Sequence, residues 1–363
     1  MIFNKIKTDL FFYVKEVIDK KRKNSFLEFL LLFFSKFFEG VVSVKNFLFD
    51  KKILKAKKVN STVISIGNIV AGGTGKTPFL ILLYQKLYDK NKIAIVTRGY
   101  KSKFENSFTI VDKNSSLGSS EIGDEPFLLK NHLRDPHIFV GKNKYGSARK
   151  AAEMNFDVIL IDDGFQYRKL HKDLEIILLN AKNPFGNNSF LPKGYLRENK
   201  KSLKRADYIV INNSDHKLIR LEEEIRKYCD KPIIYVKPYA NKFLDQQKKE
   251  YIIEERSKVA IFCGIANPNL FYKTIKDQGL EIVNFLFLLD HEKISAEQLD
   301  VFIKKSIENQ AEYIITTEKD FVKLDPDINS QIPILFLDIS LSVVCHNDDF
   351  ISLIEKINQI SNN

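Results

Sequence analysis

The sequence predicts an α/β protein built from two doubly wound parallel-sheet domains, and three observations support this. Apolar, β-branched runs recur from residue 60 onward, at 63–66, 93–97, 137–140, 157–161, 174–179, 208–211, 233–236, 259–262, 282–288, 313–316 and 334–337. Most are hydrophobic throughout rather than alternating, as strands covered on both faces are. Helical patterns separate them, and strands that alternate with helices wind into parallel sheets. Eleven strands are many for one sheet. The reading therefore sets a first domain at 59–212 and a second at 213–345, with a helical segment at 1–58 before them and a C-terminal helix at 346–363. The polar stretch 212–226 and the lysine-rich stretch 239–258 are the expected joints.

The chain has 363 residues, 44% hydrophobic and 28% charged, which suits well-formed cores and argues against wholesale disorder. Cys229, Cys263 and Cys345 lie far apart, without disulfide or metal-ligand spacing, and a reducing cytoplasmic setting follows. The formal charge of +11 is uneven: residues 1–60 hold 14 Lys/Arg against 6 Asp/Glu, so only +3 belongs to the rest. Nucleic-acid binding is not what such an excess predicts, and nothing points to an obligate protein partner.

Within that basic segment, residues 26–49 are rich in Phe, Leu and Val. Glu28, Ser35, Glu39, Ser43 and Asn46 fall on one narrow face of a helix, with basic clusters at 20–23 and 51–58. The longest uncharged stretch is far short of the roughly 18–20 residues that span a bilayer, and no secretory cleavage site follows. Two readings fit: a helix lying in the interface of an anionic membrane, or one packed on its own domain with its lysines in water. The flanking basic clusters favour the membrane.

The first strand leads into Gly67-Asn68 and then Gly72-Gly73-Thr74-Gly75-Lys76-Thr77, followed by a helical pattern. A buried strand, a glycine-rich turn and a helix make a phosphate cradle, because small residues let amides crowd the phosphate oxygens and the helix start adds its positive dipole. Lys76 is then placed for the β- and γ-phosphates and Thr77 for Mg²⁺. The usual pattern has glycine where this chain has Val70. These residues mark the first domain as a P-loop NTPase core.

The strand at 157–161 ends in Asp162 and Asp163, the form of a metal-holding partner to the phosphate loop. Alone, such a pair also serves simply to enter a turn. Arg98 and Tyr100 stand at another strand end, where phosphate or sugar could be met. Gly123-Asp124-Glu125-Pro126 puts carboxylates at a helix start, which dipole effects alone would favour; the functional reading of Asp124 is a base that accepts a hydroxyl proton. His291 follows a long apolar run and is by itself an ordinary loop residue.

Together, these motifs closely resemble the tetraacyldisaccharide 4'-kinase family of lipid A biosynthesis. The resemblance spans 25–340 and rests on Asn68 and the Gly72–Thr77 loop with Pro78, Arg98-Gly99-Tyr100, Gly123-Asp124-Glu125-Pro126 and Asp162-Asp163-Gly164-Phe165-Gln166. It continues through Leu191-Pro192 with Leu196-Arg197-Glu198, 262–268, Asp290-His291 and Thr317-Glu318-Lys319-Asp320. It implies an enzyme that uses ATP and Mg²⁺ to phosphorylate the 4'-hydroxyl of a tetraacyldisaccharide 1-phosphate, peripheral or monotopic at the cytoplasmic face of the bacterial inner membrane. The N-terminal helix would touch that membrane, and the two domains would close over the nucleotide. It further implies Asp124 as base with His291 as its partner, Asp162 and Asp163 as metal-binding acids, and Arg197 in the active site. Asn68, Arg98, Tyr100, Gln166 and Glu198 complete the expected substrate contacts. The chain departs from the family pattern at Tyr167, where histidine is usual, and at Lys193 and Tyr195.

Overall fold

The computed structural model describes residues 13–265, 268–289, 292–325, 328 and 330–362. The strands are β1 (Thr62–Gly67), β2 (Ile93–Thr97), β3 (Thr109–Val111), β4 (Ile138–Val140), β5 (Val158–Asp162), β6 (Leu174–Asn180) and β7 (Tyr208–Asn212). They continue with β8 (Ile233–Leu244), β9 (Glu250–Tyr251), β10 (Lys258–Cys263), β11 (Glu281–Phe287), β12 (Tyr313–Thr317) and β13 (Ile334–Cys345). The helices are α1 (Ser25–Asp50), α2 (Lys76–Leu87), α3 (Ser119–Ile122), α4 (Asp124–His132), α5 (Lys144–Glu153), α6 (Ile219–Arg226), α7 (Pro268–Lys276), α8 (Ala296–Glu308), α9 (Glu318–Phe321) and α10 (Asn347–Ser361).

Every apolar run read from the sequence is a strand. The added strands, β3 and β9, are only three and two residues long and sit at edges. The expected pair of separate sheets is instead one hydrogen-bonded path, β11-β10-β12-β13-β8-β7-β6-β1-β5-β2-β4-β3, with β9 on β8. Each half is mainly parallel, as buried apolar runs require. The junction is β8 against β13, two 12-residue strands paired antiparallel from Tyr235↔Cys345 to Leu244↔Phe336. Their apolar starts also pair within their own halves, with β7 and β12, whereas the alternating, partly exposed stretches beyond those starts pair only across the junction or with β9. The stretch from 239, expected as a joint, thus begins as strand.

β1 lies between β5 and β6, with Ile66 opposite Asp162, so the phosphate loop and the acidic strand end leave the same sheet edge side by side. One face of this half packs on α2 and α10: Ile64, Phe79, Phe350, Leu353 and Ile357 share a core, and Phe79 meets Phe350 edge-on at 6.5 Å. Residues 347–361 therefore cover the first half although they follow the second in sequence.

The opposite face packs on α1, whose start is capped by Asn24 accepting the Leu27 amide at 3.0 Å. Only Leu31, Ser35 and Val42 of this helix are buried. Part of its polar stripe meets the protein: Ser35 donates to the Phe190 carbonyl at 2.8 Å and Asn46 to Glu198 at 2.6 Å. Lys45 donates to the Gln166 carbonyl at 3.2 Å, whereas Glu28 and Ser43 are exposed. Phe29, Phe33 and Phe37 point outward, 65%, 61% and 68% exposed. The inward face is thus mixed, Leu31 and Val42 with Ser35, and most of the apolar circumference is left outside, unlike the usual surface helix. No described helix is long and apolar enough to cross a membrane.

Candidate active site

The phosphate loop is shaped by its glycines and braced by two buried asparagines. Gly75 has φ +88°, and a Cβ there would lie 2.1 Å from the Asn212 amide nitrogen, so no side chain fits. Asn212 donates to the Thr74 carbonyl at 3.1 Å. Asn68, fully buried, donates to Thr74 Oγ1 at 3.0 Å and accepts from Arg197 at 3.3 Å, while Gln166 donates to its carbonyl at 2.7 Å. Lys76 opens α2, where the loop's amides meet the positive end of the helix dipole. Val70 is buried and packs under the loop in the α1-side core, an apolar brace where a glycine is usual.

Asp162 and Asp163 stand beside Lys76 but differ in surroundings. Asp162 is buried; Thr97 donates to its Oδ2 at 3.1 Å, and its Oδ1 has no hydrogen-bond partner among the described residues. Burial pushes its carboxyl up. Asp163 sits in the left-handed region at φ 49°, 3.6 Å from Lys76 and held by Arg197 through two bonds of 3.0 Å. Burial alone would raise it, but Lys76 and Arg197 outweigh that and hold it well below the usual carboxylate range. Buried Lys144 fixes both backbones, donating to the Asp162 carbonyl at 2.5 Å and the Asp163 carbonyl at 2.7 Å.

A third carboxylate, Glu125, completes the acidic cluster. The neighbouring charge of Asp162, then burial, push its carboxyl up to about 7. Two repelling carboxylates around an orphaned buried oxygen form a donor set that a divalent cation would satisfy. Sequence reading left out Glu125, Lys144 and Asn212; the Asp-Glu pair at a helix start signalled the first, whereas tertiary placement alone brings in the others.

Asp124 begins α4 and lines a cavity of about 250 Å³ with Tyr100, Gly123, Glu125, Lys293 and Lys323. Lys323, from the second half, lies 3.9 Å from Asp124 and 3.0 Å from Asp320. Asp320 in turn accepts from the Gly264 amide at 2.8 Å and Thr317 Oγ1 at 2.7 Å. The halves also meet where His132 of α4 bonds Glu318 of α9. Burial would lower His132, but the Glu318 contact wins and raises it. Thr77 lines the cleft that Glu318 and Lys319 share. His291 falls outside the described residues.

Tyr100 lines the Asp124 cavity and carries Arg98 beside it, whereas Glu198, Tyr167 and Tyr195 make contacts away from this cluster. Arg98 pairs with Glu105, its Nε 2.7 Å from the carboxylate, and lies over Tyr100. Glu198 is fully buried; Asn46 of α1 donates to it, and so does Ser202 at 3.1 Å. Tyr167 donates to Asn143 at 3.2 Å, and Tyr195 to Asp19 at 2.8 Å.

A family profile described as Tetraacyldisaccharide-1-P 4'-kinase matches residues 27–359. The tetraacyldisaccharide 4'-kinase of Chlamydia trachomatis is 36% identical over 339 residues, covering 91% of this chain and 89% of that protein. That of Halothermothrix orenii is 32% identical over 320 residues, covering 82% and 83%. Among solved structures, LpxK from Aquifex aeolicus in complex with ATP superposes with a TM-score of 0.73 at 30% identity, covering 91% of this chain and 99% of that one. With the phosphate loop, the paired aspartates and the sheet order in place, this chain belongs to the tetraacyldisaccharide-1-P 4'-kinase family.

Proposed function

We propose that this chain transfers the γ-phosphate of ATP to the 4'-hydroxyl of a tetraacyldisaccharide 1-phosphate through the cluster around Lys76, Asp162 and Asp124. Kinase chemistry and ATP use follow from family membership. The observation that best supports the residue assignment is the convergence of Lys76, the orphaned Asp162 oxygen and Arg197-held Asp163 at one strand edge, with Asp124 facing the cavity shared with the second half.

Phosphoryl transfer needs positioning and charge neutralisation more than covalent help. The loop amides of Gly72, Gly73, Thr74 and Gly75 and the Lys76 ammonium would hold the phosphates. Thr77, Asp162 and Asp163 would hold Mg²⁺, which supplies positive charge against the phosphate oxygens when bound. Arg197 keeps Asp163 ionised and oriented. Asp124 would orient the acceptor hydroxyl and take its proton, with Lys323 beside it and His291 proposed as its partner. Asn68 and Gln166 brace the loop, while Arg98, Tyr100 and Glu198 are proposed at the substrate side or in the support of α1. Division into a nucleotide-binding first half and a second half that closes over it belongs to the same proposal.

The outward Phe row of α1, flanked by lysines, supports placing this helix in the interface of an anionic membrane, here the cytoplasmic face of the inner membrane. The decisive experiment measures ATP-dependent phosphate transfer to detergent-dispersed tetraacyldisaccharide 1-phosphate, with Lys76→Ala and Asp124→Asn alongside. Transfer to the 4'-hydroxyl that fails in both supports the assignment. ATP hydrolysis without lipid product would overturn it.

A further inference from the structure

A cavity of about 500 Å³ lies under the carboxyl end of α1. It opens where the segments around 168–175 and 205–207 enter β6 and β7, at the amino-terminal edge of the sheet, whereas the phosphate loop leaves the carboxyl edge of β1. It is therefore separate from the cluster described above.

Its walls set Lys52, Lys55, Arg168, Lys172 and Arg205 against two carboxylates, Glu175 and Asp207. Some of that charge is answered within the protein: Arg168 reaches Asp50 at 2.8 Å, and Lys172 reaches Glu175 at 2.9 Å. Asp207 is occupied by the Glu175 amide at 2.9 Å. Lys52 and Lys55 have no ion pair among the described residues. Arg205 lies over the Phe165 ring at 4.0 Å with Glu198 at 3.4 Å, yet both its terminal nitrogens are buried without a hydrogen bond. Two unpaired lysines at the mouth suit an anion with several acceptor oxygens. The closed-off Arg205 guanidinium beneath them adds positive charge and no direct bond, opposite the unpartnered Glu175 Oε2.

The volume exceeds what a bare phosphate fills, and Phe49 and Leu54 supply an apolar wall. Phe47 and Ile53, next to them in sequence, are 55% and 64% exposed and continue the outward face of α1. We infer that this cavity binds the phosphate of an anionic lipid headgroup, with the lipid's glycerol and first acyl carbons against Phe49 and Leu54. The inference rests on the reading of α1 as the membrane-facing helix, since that reading puts the cavity mouth at headgroup level.

The test uses the full chain and dihexanoyl phosphatidic acid kept below its micelle concentration, titrated calorimetrically at fixed ionic strength, with inorganic phosphate and dihexanoyl phosphatidylcholine in parallel. Saturable binding of the phosphatidic acid is expected. Lys52→Gln/Lys55→Gln should weaken it at least about five-fold, while Lys51→Gln/Lys58→Gln, equal in charge but outside the cavity, should change it less than about two-fold. Equal losses in the two double variants, or no saturable binding, would overturn the site. Inorganic phosphate binding as tightly as the lipid would overturn the lipid assignment in favour of a free-anion site. Flotation with anionic phosphatidylglycerol vesicles tests the helix separately. A chain that ignores those vesicles yet binds the soluble lipid through Lys52 and Lys55 would end the membrane reading and leave the cavity assignment standing.

Discussion

Arg197 grips Asp163 through two parallel hydrogen bonds of 3.0 Å, one from each terminal nitrogen, while Asp163 also lies 3.6 Å from Lys76. The fork fixes the carboxylate's plane as well as its charge. Arg197→Lys retains the charge but offers one ammonium, so turnover is expected to fall by roughly ten- to hundred-fold with little change in melting temperature. Steady-state kinetics beside thermal melts check this; unchanged turnover would reduce the fork to scaffolding.

Lys76→Ala removes the cation at the start of α2. A fall in turnover by about three orders of magnitude is expected with the fold intact, because charge neutralisation is the main work of such a site. Near-normal turnover in a folded variant would refute the phosphate-loop assignment.

Glu125 carries a pH signature. Its carboxyl is raised from near 4.5 to about 7, so the metal-free folded chain binds a proton there more readily than the unfolded chain. Its contribution is therefore most favourable below about 4.5 and is lost as pH rises through 7. Melting curves in chelator should show this decline in the wild type and not in Glu125→Gln. Mg²⁺ should remove most of it by relieving the repulsion from Asp162. A decline of equal size in the variant would place the charge conflict elsewhere.

His132 runs in the same direction, through a cation instead of a neutral carboxyl. Its contact with Glu318 raises it, so the stabilisation is full below the ordinary imidazole range and fades as pH climbs through the raised value. His132→Gln should lose about 1 kcal/mol at mildly acidic pH and converge with the wild type in alkali. A deficit independent of pH would mean packing, not charge, joins α4 to α9.

Phe29→Ser/Phe33→Ser/Phe37→Ser changes three outward residues and no buried one. Vesicle partitioning is expected to drop at least about ten-fold while the melting temperature stays within a few degrees. Unaltered partitioning would show that another surface holds the membrane.

The local features were legible because their signals are local. Buried strands read as apolar runs, and the loop from Gly72 to Thr77 and the Asp162-Asp163 strand end are short patterns with one chemical use. The union of the two halves was hidden: residues 237–244 read as Lys-Pro-Tyr-Ala-Asn-Lys-Phe-Leu, an alternating strand with one side in water that a lysine-rich linker resembles. Periodicity shows that α1 has two faces but not which one is inward, and Ser35 and Asn46 decide that only through partners more than a hundred residues away. Lys144 reaches the aspartate backbones only because α5 follows β4 at the same sheet edge. No sequence spacing records that.

The packing of α10 on the first half bears on how the chain is made. Asn91 and Asn358, 267 positions apart, bond at 2.7 Å, and the core holding Ile64 and Phe79 is closed by Phe350 and Leu353. At ribosomal speeds of roughly 5–20 residues per second, that separation is tens of seconds of translation. During that time this face of the nascent nucleotide-binding half is covered by α2 but not yet by α10. Closure of this core therefore waits for α10, and the apolar surface it covers stays open until that helix is made.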